Sequence, residues 1–289
     1  MLVFAAIAPH GGDIVSQIAD DPRVMEKTRD AMRELGRRCA DARPQTVVVL
    51  TPHGIRLPGY VALGKTQYAA GELANQTDPT RRIKASFTTD LDLADRIEAE
   101  ADAQRVPLRN LIGEKNGRDA VLPLDWGALI PLWFLAHPLT PRPEVVVLTP
   151  DGGLPREMLV RLGVAIARAA AESGKRVALV ASGDQAHAHD PDGPYGFDPA
   201  AAAHDEAMCA ALAADDLDQL LYWPPEFLED AKIDAFYQTL ILMGALGHTP
   251  MRGELLSYEA PTYFGMAVVS YAPAGELRSA DGGEEIGVV

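Results

Sequence analysis

The chain has 289 residues, of which 47% are hydrophobic, and its 41 acidic and 26 basic side chains give a formal charge of −15. A chain of this size can form a single large core, and its negative charge repels phosphate backbones and anionic lipid surfaces, which argues against nucleic-acid and membrane partners. No apolar run approaches the ~18–20 residues of a membrane helix and the first residues lack the basic region of a signal peptide, so we predict a soluble, cytoplasmic protein.

Four short runs rich in β-branched residues are typical of strands that are buried on both faces. They lie at residues 2–8, 46–51, 144–149 and 176–182. Continuous apolar runs of this kind, without alternation, are characteristic of a parallel sheet covered on both sides.

Helical patterns fill the gaps between these runs. Asp21 can cap a first helix with Pro22 in its first turn, and apolar side chains then fall on one face as far as Cys39. A second helix is predicted to start near Pro155 and to stop at Gly174. Strands and helices that alternate in this way favour an α/β domain with a central mixed, largely parallel sheet and helices on both of its faces.

The second half of the chain adds further helices and a closing pair of strands. Helices are predicted at residues 198–212 and 216–222, followed by a long apolar helix over residues 225–246. Two segments after this helix alternate or run apolar as strands do. The predicted domain therefore covers residues 1–272, and residues 273–289, which are rich in Gly, Glu and Ser, are predicted to be a flexible tail.

Three of the four predicted strands end in a turn that carries histidine. His10 lies in IAPHGG and His53 in LTPHG, while His187 and His189 lie in the loop after the fourth strand. In an open α/β sheet, ligands bind in the crevice beyond the carboxyl ends of the strands. The imidazoles should therefore meet in one crevice, and we interpret His10 and His53 as metal ligands.

Two imidazoles make an incomplete metal site, and one carboxylate would complete the arrangement that non-haem Fe(II) oxygenases use. Asp234 is the best candidate because it is an isolated acid ahead of the apolar part of the long predicted helix. From spacing alone, a hydrogen-bonded core carboxylate is an equally open interpretation of Asp234. Glu229 and Asp230 resemble first-turn acids that favour the helix dipole, and Glu229 is kept as the alternative ligand.

Six segments distinguish the chain, in the order IAPHGG, LTPHG, PLDWGALIPLWFL, SGDQAHAHDPDGPYGFDP, EDAKIDAFYQTLILMGALG and LSYEAPTYFGMAVV. Their order and placement resemble those of the LigB-type class III extradiol ring-cleavage dioxygenases, over nearly the whole chain. Within that superfamily the similarity is greatest to the branch near the Memo-like and AmmeMemoRadiSam system proteins. The resemblance implies Fe(II), one mixed sheet, and opening of a catechol-like or aminophenol-like ring by O₂.

The resemblance also implies a role for each residue of the site. His10 and His53 match the metal histidines of the family, and Asp234 lies nearest to its third ligand. His187 matches the acid/base histidine of the S-G-D-x-x-H loop, where an imidazole with an unperturbed pKa of ~6.5 can take a hydroxyl proton from the substrate. The expected metal is Fe(II), with Mn and Zn as alternatives.

His189, Trp126 and Tyr195 are the candidate substrate-binding residues, because Trp126 and Tyr195 offer aromatic walls and His189 follows His187 closely in the loop. Trp126 stands where many family members have the histidine of a D-H-G sequence, and an aspartate at position 234 is shorter than the usual glutamate. Asp184 can orient His187 or close the turn, and we interpret it as a turn residue.

Two other functions fit the same residues. A Memo-like metalloprotein or binding module would keep the histidines without activating oxygen, and Trp126 in place of histidine favours it. A zinc hydrolase would use the same three ligands, with His187 as the general base for a bound water. The expected partners are a small aromatic substrate and O₂, with neither nucleic acid nor membrane, and a homodimer stays an open alternative.

Overall fold

The computed structural model describes residues 1–112 and 120–273 of the chain. Across these two stretches, an eight-stranded mixed sheet is flanked by helices on both faces, and a three-stranded sheet joins one of the two cores. The predicted α/β fold with a largely parallel central sheet is confirmed. Residues 274–289, nearly all of the predicted flexible tail, lie outside the described residues.

The strands come from both halves of the chain. They are β1 (Leu2–Ala8), β2 (Thr46–Leu50), β3 (Val61–Gly64), β4 (Tyr68–Ala74), β5 (Arg82–Thr88), β6 (Leu108–Leu111), β7 (Val121–Pro123), β8 (Glu144–Pro150), β9 (Val177–Ser182), β10 (Met251–Glu259) and β11 (Met266–Pro273). The large sheet has the order β10-β11-β1-β9-β2-β8-β3-β6, and the small sheet has the order β5-β4-β7.

The four strands predicted from the apolar runs form the centre of the large sheet. β1, β9, β2 and β8 are parallel neighbours, whereas β11 and β3 pair with them in the antiparallel sense. Every residue of β1, β2 and β9 is buried, as expected for strands covered on both faces. The carboxyl ends of the four parallel strands therefore lie along the same edge, where the histidine-bearing turns begin.

Helices cover both faces of the sheet. They are α1 (Glu26–Ala42), α2 (Leu91–Ala103), α3 (Trp126–Leu135), α4 (Arg156–Glu172), α5 (Pro199–Ala213), α6 (Pro225–Ala231) and α7 (Phe236–His248), with short 3-10 helices at Gly12–Ile14 and Asp218–Tyr222. Val48 and Leu50 of β2 pack with α2, α4, α5 and α7, while Val47 and Val49 pack with α1, α3 and the small sheet. In the described part of the chain, no helix has both the length and the apolar character needed to cross a membrane.

Three predicted helices differ from the structure, and the one predicted over residues 216–222 is a short 3-10 helix at Asp218–Tyr222. The first begins at Glu26 and not at Asp21, because the Asp21 carboxylate binds the backbone N–H (2.9 Å) and the guanidinium (2.8 Å) of Arg23 and closes a turn there. The long helix predicted over residues 225–246 is divided into α6 and α7. At the division Lys232 adopts a left-handed backbone with φ 55°, so the acid that was predicted inside a helix lies in a break between two helices.

Helices α4 and α7 cross at glycines. A Cβ atom at Gly244 would overlap the carbonyl oxygen of Val160, and a Cβ atom at Gly163 would overlap that of Ile241. Only glycine allows the two backbones to approach so closely.

Replacing Gly244 by Ala should therefore lower the free energy of unfolding by about 1–3 kcal/mol, because the added methyl group forces the helices apart. Gly247→Ala is the matched control in the same helix, since a Cβ there meets nothing within 4 Å and should leave stability unchanged or raise it by up to about 1 kcal/mol. Chemical denaturation of both variants measures the difference. Equal effects of the two substitutions would contradict the close crossing.

Candidate metal centre

The two histidines predicted as metal ligands meet Asp234 at the carboxyl edge of the sheet. Nε2 of His10 lies 3.0 Å from Nε2 of His53 and 3.4 Å from Oδ2 of Asp234, and Nε2 of His53 lies 3.8 Å from Oδ1 of Asp234. Within residues 1–112 and 120–273 this is the only group of three His, Cys, Asp or Glu residues whose donor atoms all lie within 4.8 Å of one another. Glu229, the alternative ligand, is exposed on α6 and is not part of the cluster.

Ser182, at the end of β9, fixes the tautomer of His10. The hydroxyl of Ser182 donates to the carbonyl oxygen of Gly127, so it accepts a hydrogen bond from Nδ1 of His10 at 2.9 Å. Nδ1 therefore carries the proton, and Nε2 keeps its lone pair on the side of His53 and Asp234. This is the usual arrangement of a histidine that binds a metal.

His53 is held by its own turn and by an aromatic ring. Its backbone N–H donates to the hydroxyl of Thr51, which in turn donates to Asp125 at 2.6 Å. Its imidazole stacks on Trp126, with ring centroids 4.3 Å apart and planes inclined by 25°. Trp126 is 46% exposed, so its indole forms an outer wall beside His53. Its role in substrate binding stays a prediction.

Burial holds the groups of this cluster near neutrality. The pKa of His10 lies well below its usual value, and that of His53 falls to about 4, through burial and then through neighbouring positive charges. Burial raises the pKa of Asp234 to about 7, and burial together with the charge of Asp234 raises the pKa of Asp184 well above its usual value. Neither carboxyl group forms an ion pair with a lysine or arginine of the described residues.

Asp184 lies directly behind His10. One of its carboxylate oxygens accepts the backbone N–H of His10 at 3.0 Å, and the other lies 3.7 Å from His10 Nε2. Its backbone N–H donates to Asp234 Oδ2, and its carbonyl oxygen accepts from the N–H of Ala235. The interpretation of Asp184 as a turn residue was incomplete, because this residue joins the loop after β9 to the break between α6 and α7.

His187 lies next to the cluster, and within residues 1–112 and 120–273 its Nε2 has no hydrogen-bond partner. Its Nδ1 lies 3.1 Å from the carbonyl oxygens of both Gln185 and Lys232. Because a carbonyl oxygen can only accept, Nδ1 is protonated and Nε2 keeps its lone pair. Burial lowers the pKa of His187, so its imidazole is neutral at pH 7, which is the state that a general base requires.

Aromatic rings lie around His187. Its ring centroid is 5.7 Å from that of Tyr195, 5.8 Å from that of Tyr263 and 5.5 Å from that of Phe264, on which it stacks. Tyr195 is 55% exposed and stands at the surface next to the imidazole. The contact of Tyr195 with a ring substrate stays a prediction. The structure adds Phe264 to the rings around His187, a residue that the sequence did not single out.

His189 is turned toward a buried carboxylate. Its Nε2 lies 2.9 Å from Oδ2 of Asp205, a residue of α5 that is 1% exposed. His204 is buried and binds the other oxygen of the same carboxylate at 2.9 Å. The substrate-binding role of His189 stays a prediction. Asp205 carried no signal in the sequence beyond being an acid beside His204 on a helix that is otherwise rich in alanine.

Three comparisons relate the chain to known proteins. The protein CA_C1420 of Clostridium acetobutylicum is 24% identical over 267 residues, which are 91% of this chain and 56% of that protein, so the chain spans about half the length of this relative. The crystal structure of the uncharacterized protein JW3007 from Escherichia coli K12 has a TM-score of 0.56 at 19% identity, covering 93% of this chain and 99% of that one, and it shows a common fold. The family described as the catalytic LigB subunit of aromatic ring-opening dioxygenase matches residues 4–269. Because this match runs from β1 into β11 and includes every residue of the His10–His53–Asp234 cluster, the chain belongs to the LigB family.

Proposed function

We propose that this protein is a non-haem Fe(II)-dependent dioxygenase of the extradiol type, which opens a catechol-like or aminophenol-like ring with O₂. The observation that carries the proposal is the convergence of His10, His53 and Asp234, whose donor atoms lie within 4.8 Å of one another. Two imidazoles and one carboxylate are the donor set of Fe(II) oxygenases, which leaves positions open for other ligands. Membership of the LigB family supports the same chemistry.

The residues present fit a divalent cation. The unprotonated Nε2 atom of His10 faces His53 and Asp234. The carboxyl groups of Asp184, which is buried, and of Asp234, which is largely buried, form no ion pair with a lysine or arginine of the described residues. A cation held there would offset the cost of burying these acids and would displace a proton from Asp234. Fe(II), when bound, supplies the Lewis acidity that lowers the pKa of hydroxyl ligands and the redox chemistry that O₂ requires.

The chain's own residues would move the proton and enclose the ring. His187 would take a hydroxyl proton from the substrate at Nε2 and later return it. The carbonyl oxygens of Gln185 and Lys232 hold Nδ1–H throughout, so the ring keeps its orientation while Nε2 changes its protonation. Trp126 and Tyr195 would flank a flat substrate and keep water from it.

His10→Ala and His53→Ala should each abolish stoichiometric metal binding with little loss of fold, because each removes one of three donor atoms. His187→Gln is the matched control, since it changes an imidazole outside the donor set and should keep the metal. Elemental analysis of protein purified anaerobically and loaded with Fe(II), with circular dichroism to check the fold, measures this. Stoichiometric metal in both alanine variants would rule out the assigned ligands.

Ser182→Ala should weaken metal affinity about 10- to 100-fold, because His10 loses the partner that fixes its tautomer and orientation. Ser257→Ala is the control, since its hydroxyl is also buried but has no hydrogen-bond partner in the described chain, and it should leave the affinity unchanged. Titration of the metal-free variants with Co²⁺, followed by absorbance, compares them. The same affinity in both serine variants would show that Ser182 does not orient the ligand.

Iron-loaded protein should consume O₂ with some of a panel of catechols, protocatechuate-like acids and aminophenols. The His187→Gln variant should keep its iron and lose about 10²–10⁴-fold in kcat, the usual contribution of a general base. An oxygen electrode measures the oxygen uptake of the wild type and of the variant. Zinc as the resident metal without oxygen uptake would contradict the proposal and favour a hydrolase, and a metal-free protein without uptake would favour a binding module.

A further inference from the structure

The carboxylate of Asp205 is buried, and the ligand cluster does not use it. Its Oδ1 accepts from the N–H of Ala186 at 3.0 Å and from His204 at 2.9 Å, and its Oδ2 accepts from the hydroxyl of Tyr258 at 2.7 Å and from His189 at 2.9 Å. Burial raises the pKa of Asp205, but donation from these four groups outweighs burial and holds the pKa below its usual value. Asp205 is therefore an ionised carboxylate that is fully hydrogen-bonded, as a buried charge must be.

One of these bonds reaches His187 through a single peptide unit. The carbonyl of Gln185 and the N–H of Ala186 are the two ends of the same planar group. The N–H end donates to Asp205 at 3.0 Å, and the carbonyl end accepts from Nδ1 of His187 at 3.1 Å. Rotation of this plane would withdraw the carbonyl from the imidazole, so whatever fixes the N–H end also fixes the partner of His187.

The remaining contacts of this segment hold the neighbouring peptide units. Gly265 accepts from the N–H of Gln185 at 2.7 Å and donates to the carbonyl of Ala186 at 2.9 Å, and both of these groups lie outside the 185–186 plane. Among residues 1–112 and 120–273, the N–H of Ala186 has Asp205 as its only partner. Lys232 supplies the second carbonyl acceptor of His187. Asp205 therefore controls one of the two carbonyl groups that bind Nδ1.

We propose that Asp205 is a positioning residue, which holds His187 in its Nδ1–H tautomer through the Gln185–Ala186 peptide unit. The inference rests on the proposed function, in which His187 receives a proton at Nε2. A carboxylate that accepts from a peptide N–H polarises that peptide, and the carbonyl at its other end becomes a stronger acceptor. Asp205 thus acts on the imidazole without touching it or the substrate.

The charges around His187 agree with this role. Burial lowers the pKa of its imidazole, the Gln185 and Lys232 carbonyls and the charge of Asp205 raise it, and His189 lowers it. Asp205 therefore favours the protonated imidazole, through which His187 must pass during turnover. This effect is additional to the geometric one, because it depends on the charge of the carboxylate and not on its shape.

Nuclear magnetic resonance of protein labelled with ¹⁵N-histidine tests the inference, since the chain has only seven histidines and a His187→Gln variant assigns the signal. Spectra are recorded without metal and with Zn²⁺, a diamagnetic substitute for iron. We expect the Nδ1–H tautomer of His187 in the wild type and a mixture with the Nε2–H tautomer in Asp205→Leu. Asp205→Asn keeps an acceptor but loses the charge, so its fraction of the Nε2–H tautomer should lie between those of the wild type and Asp205→Leu.

Tyr258→Phe is the matched control. It removes a donor to Oδ2 of the same carboxylate and leaves the bond from Ala186 to Oδ1 intact, so the tautomer should not change. In turnover, Asp205→Leu should lose about tenfold in kcat, the size expected for one hydrogen bond, with KM and metal content unchanged. Asp205→Asn should recover part of this loss, and Tyr258→Phe should match the wild type.

A folded Asp205→Leu variant with the wild-type tautomer and kcat would overturn the inference. If that variant does not fold, Asp205→Asn tests the inference in its place. We expect Asp205→Asn to disturb the His187 ring signal more than Tyr258→Phe does, and equal effects of the two variants would overturn the inference. The spectra do not depend on turnover. A wild-type protein without oxygen uptake would therefore contradict the proposed function and leave the tautomer result standing. An active wild type with His187 in the Nε2–H tautomer would contradict the inference and leave the dioxygenase activity standing.

Discussion

The site depends on the parallel register of the central strands. Ala8 of β1 lies opposite Ser182 of β9, and Leu50 of β2 lies opposite Ala181, so the turns that follow these strands leave the sheet side by side. A shift of a strand's register by one residue would turn each of its side chains toward the opposite core. Neither core could accommodate the exchanged side chains. The positions of His10 and His53 relative to each other are therefore set by the hydrophobic packing of the strands that precede them.

The central strands and the positions of His10 and His53 could be predicted from the sequence, because the signals for them are local. Continuous apolar runs marked the four central strands, and the PHG turns placed His10 and His53 at their ends. The break that carries Asp234 could not be predicted, because residues 225–246 have the composition of one apolar helix. Ser182 and Asp205 were missed for a related reason, since Ser182 lies 172 positions from His10 and no sequence period links such partners.

The break between α6 and α7 has a physical cause in the loop after β9. The N–H of His187 donates to the carbonyl of Ala231 at 2.9 Å, and the N–H of Ala235 donates to the carbonyl of Asp184 at 2.8 Å. These bonds occupy backbone groups that a continuous helix would need for itself. The loop therefore interrupts the helix. The same two hydrogen bonds join the loop that carries His187 to the break that carries Asp234.

This shared attachment makes the assembly of the site cooperative. A local opening that separated the loop after β9 from the α6–α7 break would remove both Asp234 and His187 from the site in one event. Under the proposed function, a centre that lost only His187 would keep its three metal donors and lack the group that moves the proton. With Asp234 and His187 on one structural unit, the proposed ligand and the proposed base are lost or kept together, so the fold disfavours a centre that holds only one of them.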